Sequence, residues 1–180
     1  MKEGIIVKAY GGFYYVLHGM EVCRCHLRGK VKKKETILVG DKVKFEGEVI
    51  KDVIPRRGSL LRPAIANVDQ IIIVFSTEEP PIDRALLDRF IILVEIAGLK
   101  SIIAINKIDL IKRGRLLSEL KEIYPKAGYD IFFVSSKTKE GIDELSHEIA
   151  GKISVLAGPS GCGKTSILNA IDPGLRLPIG

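Results

Sequence analysis

Eight consecutive residues, Gly158-Pro-Ser-Gly-Cys-Gly-Lys-Thr165, match the pattern G-x-x-x-x-G-K-[ST] in full. Glycine at 158, 161 and 163 lets a backbone wrap with its N–H groups pointing inward. A helix beginning just afterwards adds partial positive charge at its N-terminus. Such a loop holds phosphates. The Lys164 ammonium is suited to neutralise β- and γ-phosphate charge, and the Thr165 hydroxyl to bind Mg²⁺. The expected phosphate-binding set is Gly158, Pro159, Ser160, Gly161, Cys162, Gly163, Lys164, Thr165 and Ser166, with Thr165 as the metal-binding side chain.

A second motif, Asn106-Lys107-Ile108-Asp109, follows the apolar run SIIAI. The Asp109 carboxylate can accept two hydrogen bonds, from N1–H and the exocyclic amine of guanine. Adenine does not present that pair of donors, so the wrong base leaves a carboxylate unpaired. Asn106 is expected to fix the loop and approach the base, and the Lys107 stem to lie over its face. A third, Ser135-Ser136-Lys137, follows IFFV, and its backbone amides can approach the guanine oxygen. N-K-x-D alone also occurs in ordinary loops, and S-S-K alone means little. Taken together, the three specify phosphate, Mg²⁺ and guanine.

Alternating elements must position them. Strand-like runs at 70–76, 101–105, 131–134 and 153–157 alternate with helical patterns at 83–95, 116–124, 142–150 and 165–171. In the first of these helices Ala85, Leu86, Phe90, Leu93 and Val94 recur at roughly helical spacing. Apolar strands alternating with amphipathic helices imply a parallel sheet covered on both faces, with ligands at the carboxyl ends of its strands. All three motifs fall at such ends. Their order is unusual, because ordinary small GTPases carry the phosphate loop first and the base-recognition motifs last. The fold class expected is an α/β P-loop GTPase domain that is circularly permuted. Only Gly151 and Lys152 join the 142–150 helix to the next strand, and permutation is permissible where old termini lie close together.

The first third differs in charge and in period. Residues 1–57 hold 13 of the 28 basic and 7 of the 22 acidic side chains, so the whole net charge of +6 resides there. That asymmetry points to contact with a polyanion, nucleic acid being the commonest, although a basic face kept for solubility would give the same count. Its densest part supplies the candidate RNA contacts Arg28, Lys30, Lys32, Lys33 and Lys34. Five short period-two segments, 5–10, 13–18, 21–27, 41–45 and 48–54, are separated by turns at Gly4, Gly11-Gly12, Gly19, Gly40 and Gly47. A chain this short hides its sheet edges by closing, so a small all-β OB-like barrel is expected, an SH3-like barrel fitting the strand count almost as well. Cys23 and Cys25 lie on one strand, without the two-residue loop with which a cysteine pair usually grips zinc, so no metal is assigned to them with His18 and His26. The expected organisation is a basic RNA-binding barrel at 1–57, a linker at 58–68 carrying Gly58 and Pro63, and the permuted domain at 69–180.

Composition excludes several classes. With 46% hydrophobic and 28% charged residues the chain can bury a core and is not disordered. Apolar runs of five residues, at 71–75 and 90–94, are far short of the roughly 20 of a membrane span. The N-terminus lacks a signal-peptide core. A cytoplasmic protein with three reduced cysteines is the expectation.

The basic barrel, the segment LLRPAIANVDQ, the order NKID, SSK, GPSGCGKTS and the segment Leu168-Asn-Ala170 resemble the ribosome small-subunit-dependent GTPase A family over essentially all 180 residues. The resemblance implies a GTPase that binds the small ribosomal subunit and assists its late maturation. It further implies contact of the basic third with 16S ribosomal RNA, GTP or GDP and Mg²⁺ as ligands, and zinc in a C-terminal domain. The monomer is the expected state. The family's switch threonine and D-x-x-G should follow the phosphate loop, as should its metal domain, but only 172–180 lie beyond the last helix, so a truncated sequence is expected. Truncation would leave ISVLA as an exposed sheet edge. Asp172-Pro-Gly174 is too close to Lys164 to be the D-x-x-G and is assigned no role, and no residue is identified as positioning the attacking water. Two other functions share these features: an RNA-binding module whose nucleotide half is a scaffold without hydrolysis, and an ATP-using P-loop kinase.

Overall fold

The computed structural model describes residues 1–27, 36–61, 63–111 and 115–178. They fall into two compact units, Met1–Val68 and Asp69–Gly180. In the first, strands β1 (Lys2–Tyr10), β2 (Phe13–His18), β3 (Glu21–Leu27), β4 (Lys42–Glu46) and β5 (Val49–Val53) close into a barrel in the order β1-β2-β3-β5-β4. Alternation drives closure, because every second side chain is apolar and turns inward. Ile6, Val16, Cys25, Val43, Phe45 and Ile50 meet there, none more than 2% exposed. The ring is completed by a parallel pairing of β3 with β5, His26 to Val49 and Leu27 to Ile50. That order is OB-like and decides between the two small barrels considered.

Gly4 does not form a turn. It lies inside β1, where a Cβ would stand 2.5 Å from Val16 Cγ1 and 2.6 Å from the Leu17 carbonyl oxygen. Close approach of two backbones, not chain reversal, requires glycine there.

Residues expected to run as a linker instead form a hairpin, β6 (Ser59–Leu61) and β7 (Ala64–Ala66). Its strands are three residues long and lie either side of Pro63, too short to show a period. Ala66 N–H donates to the Val39 carbonyl at 2.8 Å, and Asn67 Nδ2 to the Gly40 carbonyl at 2.9 Å. Gly40, at φ +90°, passes so near the hairpin that a Cβ would sit 2.1 Å from Ala66 O. The preceding loop is held by the wholly buried Asp41. Its carboxylate accepts from Arg56 Nε at 2.6 Å, Arg56 Nη2 at 2.8 Å and Leu38 N–H at 2.8 Å.

The second unit is a parallel sheet of β8 (Gln70–Ser76), β9 (Lys100–Asn106), β10 (Asp130–Phe133) and β11 (Ser154–Ala157), in the order β10-β9-β8-β11. Helices α1 (Arg84–Ile96), α2 (Arg115–Lys126), α3 (Ile142–Ile149) and α4 (Lys164–Ile171) alternate with the strands. All seven residues of β8 are buried, as a central strand covered on both faces requires. One set of alternating positions, Ile72, Val74, Ile102 and Ala104, packs with Ile142, Leu145 and Ile167 of α3 and α4. The other set faces α1, where Phe75 meets Phe90 edge to face with centroids 5.8 Å apart. β11 is an outer strand of this sheet, and its four residues are half-buried. Among the described residues no helix is long and apolar enough to cross a membrane.

Candidate functional site

The carboxyl ends of β9, β10 and β11 bring the three motifs to one place, and the Asn106 side chain connects them. At the end of β9, Asn106 is fully buried. Its Nδ2 donates to the Cys162 carbonyl at 3.0 Å, and its Oδ1 accepts from Ser136 N–H at 3.1 Å. One amide thus ties the 106–109 loop to both the 158–166 loop and the 135–137 loop. Both its ends are occupied by protein, so it acts by fixing the loops.

The loop after β11 turns on its glycines. Gly158 has φ +145°, and a Cβ there would come within 2.0 Å of Val74 O. Gly163 has φ +89°, and a Cβ would lie 2.3 Å from Asn106 Nδ2. Side chains at either position would fill the space the loop needs, the condition a backbone cradle imposes. α4 begins at Gly163 with no side chain capping its first turn, which leaves an electropositive helix end over the loop. Lys164 Nζ is held by the Gly158 carbonyl at 2.9 Å and the Pro159 carbonyl at 2.6 Å. Cys162 is fully buried and donates its thiol proton to the Pro159 carbonyl at 3.1 Å. Burial pushes that thiol above its usual pKa, against the opposing pull of Lys164.

After β9 the chain enters the left-handed region at Lys107, φ 62°. The conformation is held by Thr77, which sequence reasoning missed. Thr77 is 1% exposed; its N–H donates to the Asn106 carbonyl at 3.0 Å and its hydroxyl to the Lys107 carbonyl at 2.7 Å. The Lys107 ammonium donates to the Glu79 carbonyl. Threonine after a buried strand carries no motif, so only the pairing of β8 with β9, Ser76 opposite Asn106, reveals the role.

Asp109 is exposed, and its Oδ1 accepts from the buried Ser135 hydroxyl at 2.7 Å. The same hydroxyl accepts from Thr138 N–H at 3.1 Å. Ser135 therefore sets the direction of the carboxylate, a side-chain role where backbone amides were expected to matter. The Ser135 and Ser136 N–H groups are engaged within the protein, by the Glu140 carbonyl at 2.9 Å and by Asn106. Gly141, at φ +69°, lets the chain return under Phe133, whose carbonyl would be 2.2 Å from a Cβ.

Arg28, Lys30, Lys32, Lys33 and Lys34 lie outside the described residues. Among the described residues no group of three or more His, Cys, Asp or Glu side chains could hold a metal ion. Magnesium brought by a nucleotide needs no such cluster, since this ion is usually bound through substrate phosphates and one or two side chains rather than an all-protein cage. The turn Asp172–Gly174 is local, with the Asp172 carboxylate accepting from Gly174 N–H at 2.9 Å.

Family models corroborate the architecture. The RsgA GTPase model matches residues 53–180, and the RsgA N-terminal domain model residues 3–52. The chain is 47% identical to the small ribosomal subunit biogenesis GTPase RsgA of Moorella thermoacetica, over 99% of the chain and 63% of that protein. It is 44% identical to the protein of the same name from Geobacillus thermodenitrificans, over 100% of the chain and 64% of the relative. The chain thus spans just under two thirds of the length of these curated relatives. Among solved structures, YjeQ from Thermotoga maritima superposes with a TM-score of 0.88 at 39% identity, covering 99% of this chain and 68% of that one. YloQ, described as a circularly permuted GTPase, gives 0.84 at 41% identity, covering 98% and 66%.

Proposed function

The chain belongs to the RsgA GTPase family, and from that premise we propose that it binds guanine nucleotides at residues 106–109, 135–137 and 158–166 and that the protein hydrolyses GTP while assisting late maturation of the small ribosomal subunit. The observation that carries the reading is the Asn106 amide, which couples a base-reading loop to a phosphate-type loop through one buried group. In this reading Asp109, aimed by Ser135, accepts from the guanine edge, and the Lys107 stem covers the ring. Phosphate oxygens take the α4 N-terminus and the Lys164 ammonium, displacing the loop carbonyls that hold it. Magnesium, when bound, supplies charge neutralisation at the phosphates, and Thr165 is the side chain of this chain that would hold it. The basic first third, with Arg28, Lys30 and Lys32 to Lys34, contacts 16S ribosomal RNA, and the protein acts as a cytoplasmic monomer.

A titration with fluorescent GDP and GTP in Mg²⁺, with ATP as competitor, tests this. Guanine-selective binding that is lost in Asp109→Asn is expected, because an amide places a donor against guanine donors. Equal competition by ATP, with Asp109→Asn unaffected, would support a P-loop kinase instead.

A further inference from the structure

The turn between β8 and α1, Thr77-Glu-Glu-Pro-Pro81, stands beside two loops of the site and belongs to none of the three motifs. Its start is fixed by the sheet, since Ser76 lies opposite Asn106 and Thr77 N–H donates to the Asn106 carbonyl. Ser76 is 1% exposed, and its hydroxyl closes the turn by donating to the Pro80 carbonyl at 2.8 Å. Pro80 and Pro81 each fix φ, which stiffens the segment. Asp83 ends it by capping α1, its Oδ1 accepting from Leu86 N–H at 3.0 Å. The turn reaches the phosphate-type loop at Gly161, where a Cβ would lie 3.4 Å from Pro80 Cδ and 4.0 Å from Glu79 O. It reaches the base-reading loop at Lys107.

Lys107 is held at both ends by this one turn. The Thr77 hydroxyl holds its carbonyl, and the Glu79 carbonyl accepts from its ammonium. Glu79 is exposed and has φ +52°, the left-handed region that residues with a Cβ seldom enter, and that conformation presents the carbonyl to Lys107. A lysine stem laid over a ring loses rotamer freedom, and a stem whose head is already held loses less. We infer that Glu79 is a positioning residue of the nucleotide site: its backbone carbonyl holds the Lys107 head so that the stem is laid out for the guanine ring before the nucleotide arrives. The inference rests on the guanine-binding reading above and adds the 77–81 turn to the three loops of the site.

Glu79→Gly and Glu79→Val both remove the carboxylate, but only glycine keeps a left-handed φ without strain. Calorimetric titration of the full chain with GDP and Mg²⁺, and with ADP as the control, compares the two variants alone and in the Lys107→Met background, where the stem remains and the ammonium is gone. With Lys107 present, Glu79→Gly is expected to bind GDP within about twofold of the wild type and Glu79→Val about fivefold more weakly, the size of one hydrogen bond. In the Lys107→Met background the two should bind alike, because residues that act through one contact are not additive. Should Glu79→Val not fold, Ser76→Ala, which releases the Pro80 carbonyl across the turn, should weaken GDP binding about threefold with Lys107 present and leave it unchanged in the Lys107→Met background. Equal GDP affinities for Glu79→Gly and Glu79→Val with Lys107 present, an undiminished affinity in Ser76→Ala, or a loss that persists in the Lys107→Met background would overturn the positioning role while leaving guanine binding standing. A wild-type chain with no preference for GDP over ADP would overturn the guanine reading and this role with it.

Discussion

Asn106 and Cys162 are 56 residues apart and joined by one hydrogen bond, from the Asn106 side-chain amide to the Cys162 carbonyl at 3.0 Å. With both residues fully buried, the bond lies where water cannot replace it. A buried acceptor that loses its donor costs about 1–3 kcal/mol. Asn106→Ala should therefore lower stability by about that amount, and Asn106→Asp by more, since a carboxylate would face a carbonyl. Denaturant melts should record both, and fluorescent GDP should bind at least about tenfold more weakly, because loosening this bond separates the two loops.

Glycine positions separate strain from collision. Gly158→Ala forces a Cβ to 2.0 Å from Val74 O, a backbone atom of the central strand that cannot step aside. Gly11→Ala, at φ +58°, meets nothing within 4 Å. The first substitution should cost about 3 kcal/mol or more and the second about 1 kcal/mol, the bare cost of a left-handed conformation. Equal melting-temperature losses would contradict the tight approach of the loop to β8.

Thr77 offers a test of positioning that is independent of direct contact. Thr77→Val keeps the shape but removes the hydroxyl that holds the Lys107 carbonyl, and Thr77→Ser keeps it. GDP affinity should drop about three- to tenfold in the valine variant, in line with one hydrogen bond of about 1 kcal/mol, and return in the serine variant. Loss of stability without loss of affinity would assign Thr77 to folding alone.

The cysteines should differ in reactivity. Cys25 and Cys162 are at most 1% exposed and burial raises both thiols, whereas Cys23 is half-buried. Alkylation near pH 8, read by mass spectrometry, should modify Cys23 first and the other two only on unfolding. A thiol whose folded-state pKa is raised stabilises fully below its unfolded value of 9.0, and that contribution is lost as pH climbs through the folded value. The native chain should therefore lose more stability between pH 8 and 10 than a variant with both buried cysteines replaced by alanine.

Much was legible in the residues alone. Period-two alternation located β2 at 13–18 and β3 at 21–27, and the apolar run 71–75 located β8 at 70–76, because each needs only local chemistry and burial on one face or both. The order of motifs told that the GTPase domain is permuted, and glycine spacing marked the loop before α4. Other features answered to contacts between distant segments. In α1 the run FIILV is apolar all round, so its period does not choose a face; packing on the sheet buries Leu87, Ile91 and Val94 and leaves Leu93 64% exposed. Gly4 resembled a turn because local sequence cannot register that β2 passes 2.5 Å from its missing Cβ.

The site divides in the same way. Residue type alone made Lys164, Thr165 and Asp109 candidates, since a cation, a hydroxyl and a carboxylate have few other uses in such loops. Only the parallel register of β8, β9 and β10 placed Thr77 under Lys107, turned Ser135 onto Asp109 and spent the Asn106 amide on two neighbouring loops. Side-chain chemistry belongs to the residue and is read in the sequence; the direction in which it is delivered belongs to hydrogen bonds between residues 26 to 56 apart in the chain, at loops that meet only when the sheet forms.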